Sequence, residues 1–203
     1  MTTLIGLSGS LRQASFNGAL LRAAAELMPA GVELRIASIR GIPLYDGDLE
    51  AAEGIPATVQ ALKDGIAAAD GLLFVTPEYN NSMPGVMKNA VDWLSRPAAD
   101  IPRVFGGKPI GLMGASPGGF GTILSQNAWL GVVKSLGALL WSERRLLVSR
   151  AHTLMDASPQ RLARNRRHRG AARLLHGMSR AIATKQKNPL IERVLLMHRV
   201  RNW

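Results

Sequence analysis

The chain has 203 residues, a length typical of a single domain. Hydrophobic residues make up 47% of the sequence, enough for a sizeable core, yet no run approaches the roughly 18 uncharged apolar residues that a membrane span requires. The absence of cysteine excludes disulfides, thiolate metal sites and a cysteine nucleophile. No basic and then apolar leader is visible at the start of the sequence, so we expect a cytoplasmic protein without a membrane partner.

The net charge of +11 is concentrated at one end of the chain. Residues 1–150 contain 13 Lys and Arg against 12 Asp and Glu, whereas residues 151–203 contain 12 against two. The basic character therefore belongs to the C-terminal quarter. No base-reading module and no interleaved aromatic residues accompany this charge, so we expect no nucleic-acid function. The four histidines show no metal-ligand spacing, and we expect no metal site.

Apolar runs and helical periodicities alternate along the chain. Strands are predicted at residues 3–7, 32–37, 71–76 and 109–115, with one or two further pieces within 139–148. Helices are predicted at residues 16–28, 55–69, 84–94, 122–136 and 166–185, and residues 41–55 are interpreted as a loop. This order predicts an α/β fold with a parallel sheet covered by helices on both faces. A ligand is then expected beyond the carboxyl ends of the strands.

The loop after the first predicted strand is rich in hydroxyl side chains. Residues 6–17 have the sequence Gly-Leu-Ser-Gly-Ser-Leu-Arg-Gln-Ala-Ser-Phe-Asn. A strand-to-helix turn directs free backbone N–H groups and the positive helix end to one point, which suits a phosphate. A helix cap at Ser15 or Asn17 would satisfy the same N–H groups. Because a cap needs only one such residue and several are present, phosphate binding is the favoured interpretation.

Three commoner sites do not fit the sequence. The spacing of Gly6 and Gly9 departs from G-x-G-x-x-G, no acidic residue ends the second predicted strand, and no Gly-Lys-Ser/Thr follows. A Rossmann dinucleotide domain and a P-loop NTPase are therefore disfavoured. A Ser-His-Asp hydrolase is disfavoured as well, because Pro117 follows Ser116 and lacks the N–H that a nucleophile elbow requires.

Two more loops follow the third and fourth predicted strands. Residues 76–85 place Tyr79 among amide and hydroxyl donors between prolines, which suits a flat ring with a polar edge or forms a surface turn. Residues 116–121 contain paired glycines, which allow a bulky ligand to approach the backbone or make a tight turn. Three such loops at one end of a sheet favour a single ligand site.

These three segments together resemble the NADPH-dependent FMN reductase family of flavodoxin-like proteins. The family pattern G-S-L-R-x-x-S-x-N is present at residues 9–17, and T-P-E-Y-N-x-S-x-P-G-x-x-K-N-A-x-D-W is present at residues 76–93 with every fixed letter. The Gly-Gly segment corresponds to Gly118 and Gly119. The resemblance covers about residues 3–155. It implies a flavodoxin-like five-stranded parallel sheet in a three-layer sandwich.

The resemblance also implies a binding site for FMN. Residues expected to hold its phosphate are Ser10, Arg12, Ser15 and Asn17. Residues expected to line the isoalloxazine ring are Pro77, Glu78, Tyr79 and Asn80 on one side and Ser116, Gly118 and Gly119 on the other. No residue is expected to act as a nucleophile or base, because the flavin itself carries the hydride.

The function implied by the resemblance is an NAD(P)H-dependent reductase that passes electrons through FMN to a small-molecule acceptor: a quinone, free flavin, azo dye or metal oxyanion. The alternative is a non-catalytic flavin-binding redox or regulatory protein whose basic tail contacts a polyanion. Residues 1–185 are expected to form the flavodoxin-like FMN-binding domain and residues 186–203 a basic C-terminal extension. The resemblance further implies a homodimer or homotetramer, with residues 125–136 and 141–145 at the interface.

Overall fold

The computed structural model describes residues 1–154 and 166–187. Its strands are β1 (Thr2–Ser8), β2 (Val32–Ala37), β3 (Gly71–Val75), β4 (Pro109–Ala115), β5 (Leu139–Leu140) and β6 (Leu146–Val148). Its helices are α1 (Phe16–Glu26), α2 (Gly47–Glu53), α3 (Ala57–Ala68), α4 (Gly85–Leu94), α5 (Ile101–Val104), α6 (Ile123–Ser135) and α7 (Arg166–Lys187). The alternation of strands and helices that the periodicities predict is confirmed.

All strands are parallel and the sheet order is β2-β1-β3-β4-β5, with β6 also paired to β4. Strand β5 pairs with the start of β4, and β6 pairs with its end, so the two short strands together fill one edge position. The predicted five-stranded parallel sheet is thus confirmed as five positions, the last of them split in two. The order of the strands reverses between β1 and β3. This switch point marks where a ligand is expected, beyond the carboxyl ends of these strands.

The sheet separates two apolar layers, as a three-layer sandwich requires. Along β3, Leu72 and Phe74 pack into a core with α3, α4 and α6, whereas Leu73 and Val75 pack into a core with α1 and α7. Both faces of β3 are buried, which explains why its sequence is continuously apolar rather than alternating. No helix within the described ranges is long and apolar enough to cross a membrane.

Helix α7 closes the second apolar layer. Its buried stripe is the one predicted from the sequence: Leu174, Leu175, Met178 and Ile182. The helix continues to Lys187, two residues past the predicted boundary at 185. The division between a flavodoxin-like domain and a basic extension stays a prediction, because residues 188–203 lie outside the described ones.

The prediction that residues 41–55 form a loop is wrong for its second half, where α2 lies. Asp46 caps this helix by accepting a hydrogen bond from the N–H of Asp48 at 2.9 Å, and Gly54 ends it with a φ of 76°. None of its residues is fully buried and Leu49 packs only partly against the core, so the helix leaves no apolar periodicity in the sequence. In the sequence, only the residues that cap it, Asp46 and Gly54, could have indicated a helix here.

The segment before α2 is fastened to α4. Both the amide of Asn89 and the indole N–H of Trp93 donate to the carbonyl of Pro43, at 2.8 and 2.9 Å. The ring of Tyr45 meets that of Trp93 edge to face, with centroids 5.1 Å apart. The Asn and Trp of the K-N-A-x-D-W pattern therefore hold the β2–α2 connection against α4.

A buried lysine holds the connection between α4 and α5. The ammonium of Lys63, fully buried on α3, lies 2.7 Å from a carboxylate oxygen of Asp100 and also donates to the carbonyl of Arg96. Arg103 lies 3.0 Å from the same carboxylate oxygen. The hydrogen bond from Arg103, followed by the one from Lys63, lowers the pKa of Asp100 from its ordinary 3.8 to about 2.

This lowered pKa predicts a specific loss of stability in acid. A carboxylate with a depressed pKa stabilises the folded state above its unfolded pKa, and this contribution is lost as the pH falls through the folded value. We expect the wild type to be more stable than Asp100→Asn near neutral pH, and the difference to shrink between the ordinary 3.8 and about 2. Melting temperatures of both proteins across this range would check it, and parallel curves would contradict it.

Candidate FMN site

The three polar loops lie together at the carboxyl end of the sheet and contact one another. The N–H of Gly9, just after β1, donates to the carbonyl of Val75 at 2.9 Å. A Cβ on Gly9 would lie 2.9 Å from side-chain atoms of both Pro77 and Pro84. Glycine is therefore required here by the close packing of the first loop on the second, which a sequence pattern alone cannot distinguish from a flexible turn.

The start of α1 presents hydrogen-bond donors without acceptors. Ser15 is the N-cap, and its hydroxyl accepts from the N–H of Gly18 at 3.1 Å. Within the described residues, the N–H groups of Phe16 and Asn17 have no acceptor, and the first turn contains no acidic residue. The Ser15 hydroxyl retains its own hydrogen. The cap and the phosphate interpretations are therefore compatible, because the residue that caps the helix leaves donors at its positive end.

The side chain of Asn17 is turned into the protein. Its amide nitrogen donates to the carbonyl of Ala115 at 2.9 Å, and its amide oxygen accepts from the N–H of the same residue at 2.8 Å. Asn17 is only 3% exposed. This pair connects the start of α1 to the end of β4 across the sheet edge. Toward a phosphate, Asn17 offers its backbone N–H and its second amide hydrogen.

The rest of the first loop is more open. Ser10 is half-buried and its hydroxyl accepts a long hydrogen bond, 3.4 Å, from the N–H of Arg12. The Arg12 side chain is exposed, and its guanidinium has no hydrogen-bond acceptor in the part of the chain that the structure describes. Both side chains are thus available to an anion at this loop.

The second loop forms a tight hairpin. Tyr79 and Ser82 exchange two backbone hydrogen bonds of 3.1 and 3.0 Å around Asn80 and Asn81, which have φ values of 48° and 62°. Asparagine tolerates this left-handed region better than most residues. The surface-turn interpretation is correct for the backbone, and the turn leaves Tyr79 44% exposed beside the buried Pro77.

Glu78 has a role that its sequence position does not reveal. One carboxylate oxygen accepts hydrogen bonds from the N–H groups of Leu124 and Ser125, at 2.9 and 3.1 Å. Thr122, at the N-cap of α6, makes no side-chain capping bond. Glu78 therefore caps α6 from the neighbouring loop, with its negative charge at the positive end of the helix. The cap fixes the second loop relative to the third.

Three further residues support the site, although the sequence did not assign them to it. The buried hydroxyl of Thr76 makes a 2.8 Å hydrogen bond with Ser125 and accepts one of 3.2 Å from the indole of Trp129. A Cβ on Gly114 would lie about 2.2 Å from the carbonyl of Thr76, so β4 and the second loop are in direct contact. Isolated Thr, Ser and Trp residues on separate elements leave no pattern from which this network could be predicted.

The third loop is buried where it leaves β4 and exposed at its tip. Ser116 is buried and its hydroxyl donates to the carbonyl of Gly121 at 2.6 Å, which closes the loop. Gly118 and Gly119 are exposed, and a Cβ on Gly119 would meet nothing within 4 Å. Packing within the protein therefore does not require glycine at 119. A ligand that approaches the backbone would require it, as the sequence predicts.

The donors of the first loop fit the phosphate of FMN, and the surface of the second and third loops fits its ring. The first loop supplies hydroxyl groups, N–H groups without acceptors and a guanidinium, and the second and third loops lie next to it, held by the contacts at Gly9 and Glu78. This arrangement defines a flavodoxin-like protein whose first loop, at the switch point of the sheet, has donors of the kind that a phosphate requires. The individual ligand residues stay a prediction.

Comparisons with known proteins give the family. Residues 2–153 match the family model of NADPH-dependent FMN reductases, and the chain belongs to this family. An NAD(P)H-dependent FMN reductase of Pseudomonas aeruginosa is 44% identical over 154 residues, which cover 76% of this chain and 81% of the relative. A 2-hydroxy-1,4-benzoquinone reductase of a Burkholderia species is 43% identical over 150 residues, covering 74% and 80%.

A quinone reductase of Escherichia coli is 49% identical over 119 residues, which cover 58% of this chain and 62% of the relative. Among solved structures, the flavoenzyme NAD(P)H:(acceptor) oxidoreductase of Paracoccus denitrificans superposes with a TM-score of 0.80 at 29% identity, covering 91% of this chain and 98% of that one. The fold and the family expected from the sequence are confirmed. The chain is an oxidoreductase that uses FMN and NAD(P)H.

The Asn17–Ala115 connection predicts a large effect on stability. Asn17→Ala leaves a buried N–H and a buried carbonyl without partners, and each such group costs about 1–3 kcal/mol. We therefore expect the free energy of unfolding to fall by about 2–4 kcal/mol in urea denaturation of the FMN-free protein. The matched control is Asn127→Ala, an exposed position on α6, for which we expect a change within about 0.5 kcal/mol. Equal effects at the two positions would contradict the role of Asn17.

Proposed function

We propose that this chain binds FMN across the three loops and uses NAD(P)H to reduce quinones. The observation that carries this proposal is the group of unpaired donors at the start of α1, next to two loops fastened by Gly9 and Glu78. Named relatives that include quinone reductases support the choice of acceptor. Free flavin, azo dyes and metal oxyanions are the other acceptors to compare.

The phosphate of FMN would be held by the first loop. The hydroxyls of Ser10 and Ser15, the guanidinium of Arg12 and the N–H groups of Phe16 and Asn17 are the donors. The positive end of α1 adds a favourable field for a dianion, and no acidic residue in its first turn opposes it. The phosphate thereby anchors the cofactor at the switch point of the sheet.

The isoalloxazine ring would lie against the second and third loops. Pro77, Glu78, Tyr79 and Asn80 would line one side of it, and Ser116, Gly118 and Gly119 the other. The Glu78 carboxylate is held by two backbone N–H groups of α6, so the loop that lines the ring is fixed before the cofactor binds. Such preorganisation lowers the entropic cost of binding.

When bound, FMN accepts a hydride from NAD(P)H and passes the electrons to the acceptor. The chain itself supplies position and electrostatics, and no side chain at the three loops needs to act as a nucleophile or base. The hairpin at Tyr79 and the open tip at Gly118 leave access from solvent next to the ring position, which lets the reductant and then the acceptor occupy the same place. The proposal therefore includes alternating occupancy, with one substrate leaving before the next enters.

A homodimer or homotetramer is part of the proposal. Helix α6 exposes Ile123 and Leu130, which share one face, and also Leu124 near its start, and Phe120 just before the helix is 83% exposed. Several large exposed apolar side chains close together are typical of protein–protein interfaces. The face adjoins the third loop, so a second copy there would lie close to the cofactor. The cytoplasmic location stays a prediction, to be tested by cell fractionation.

The first test is an anaerobic absorbance spectrum of the protein with one equivalent of FMN, before and after NADPH. We expect the flavin spectrum to change on binding and to bleach with NADPH, and reoxidation by a benzoquinone to be faster than by free flavin, an azo dye or chromate. Bound FMN that does not bleach would favour the alternative of a non-catalytic flavin-binding protein.

The phosphate assignment is tested at Ser15. Ser15→Ala removes a hydroxyl donor to a charged group, a contact worth about 1.5–3 kcal/mol, so we expect FMN to bind roughly tenfold more weakly or worse. Fluorescence quenching of FMN measures the affinity. Ser15→Thr keeps the hydroxyl and should retain most of it, and Ser135→Ala, at the far end of α6, is the matched control. Unchanged affinity in Ser15→Ala would overturn the assignment.

The interface is tested at Leu130. A carboxylate in the centre of an apolar interface has no partner and carries a large desolvation cost. We expect Leu130→Glu to shift the molar mass measured by light scattering from an oligomer to a monomer, whereas Lys134→Glu, one turn later on α6, leaves more of the oligomer intact. A monomeric wild type would contradict this part of the proposal.

A further inference from the structure

A buried hydroxyl lies directly behind the second loop and has no part in the function proposed above. Thr76, the residue after β3, is fully buried. Its hydroxyl contacts the indole N–H of Trp129 at 3.2 Å, the hydroxyl of Ser125 at 2.8 Å and the carbonyl of Pro77 at 3.0 Å. A hydroxyl donates one hydrogen bond and accepts two, so these partners use its full capacity.

Only one set of directions satisfies all three hydrogen bonds. The indole of Trp129 can only donate, and the carbonyl of Pro77 can only accept. The single hydrogen of Thr76 is therefore directed to Pro77, and the hydroxyl of Ser125 donates to Thr76. Two donors from α6 thus hold the oxygen of Thr76 in place, and its hydrogen is left for the second loop.

This hydrogen bond fixes the orientation of the peptide between Pro77 and Glu78. The carbonyl of the peptide is held on the side of Thr76, and in a trans peptide the N–H points the opposite way. Within the described ranges, the N–H of Glu78 has no acceptor. The N–H of Ser125 also donates to the carboxylate of Glu78 at 3.1 Å, so Ser125 holds the residues on both sides of this peptide.

We propose that Thr76 is a positioning residue that sets the reduction potential of bound FMN. The inference rests on the proposed function, in which the second loop lines the ring. A neutral ring that accepts a hydride from NAD(P)H becomes an anion, so an N–H already fixed beside it stabilises the reduced form more than the oxidised form. Thr76 acts through the peptide, because its hydroxyl holds the carbonyl and thereby the direction of the N–H of Glu78.

A purely structural role of Thr76 leads to a different expectation. Looser packing of the second loop would weaken the binding of oxidised and reduced FMN equally. Loss of a positioned donor would weaken the binding of reduced FMN more. The reduction potential changes only when the two affinities change by different factors, so it separates the two roles.

The test is the two-electron reduction potential of FMN-loaded Thr76→Val, measured anaerobically against a redox dye of known potential. We expect the affinity for reduced FMN to fall about tenfold more than the affinity for oxidised FMN, which lowers the potential by about 30 mV. Thr76→Ser keeps the hydroxyl and should retain the wild-type potential. Ser179→Ala is the matched control, since it removes a buried hydroxyl that donates to the carbonyl of Leu175 in the other apolar layer.

A second variant covers the case in which Thr76→Val does not fold. Valine leaves the buried indole N–H of Trp129 without an acceptor, and Thr76→Val/Trp129→Phe removes that unpaired group. The same fall in potential is expected for this double variant relative to Trp129→Phe alone, in which the hydroxyl of Thr76 is retained.

An unchanged or raised potential in the valine variants, or an equal fall in Thr76→Ser, would overturn the proposal. A titration of the wild type with FMN comes before the potential measurement. If the wild type binds no FMN, the proposed function fails as well, whereas FMN binding with an unchanged potential in the valine variants overturns only the role of Thr76.

Discussion

The candidate site depends on one pair of hydrogen bonds between a side chain and a distant strand. Asn17, on the first turn of α1, exchanges two bonds with the backbone of Ala115 at the end of β4. Because β3 lies between β1 and β4, this pair connects the first loop to the third across the switch point. The donors at the start of α1 therefore hold a fixed position relative to the loops proposed to line the ring.

Much of the fold was predictable because the sheet is parallel and covered on both faces. Continuous apolar strands such as β3, and the stripe of Leu174, Leu175 and Met178 on α7, follow directly from that burial. Helix α2 was missed because none of its residues is fully buried and Leu49 packs only partly against the core, so its clearest signals are Asp46 and Gly54 at its ends. Burial leaves a periodic trace in a sequence, and a capped surface helix does not.

The candidate site was predictable in outline and not in its contacts. Spacing and composition identify the three loops, and the resemblance to a family adds the cofactor. The sequence gives no indication that Glu78 caps α6 or that Thr76 meets Ser125 and Trp129, since these contacts join residues about 50 positions apart. A residue expected to line the ring thus also has a structural role, and its substitution would change both.

At the carboxyl end of the sheet, the close packing at Gly9 and Gly114 defines a frame that tolerates little substitution. The exposed residues around it form a rim that tolerates more. Any side chain at these two positions would collide with neighbouring loops, so the frame allows little variation. Gly119 and Phe120 of the third loop, in contrast, lie exposed at its tip. New acceptor specificities are most easily acquired at such a rim, in nature or by directed evolution, because changes there leave the frame and its cofactor undisturbed.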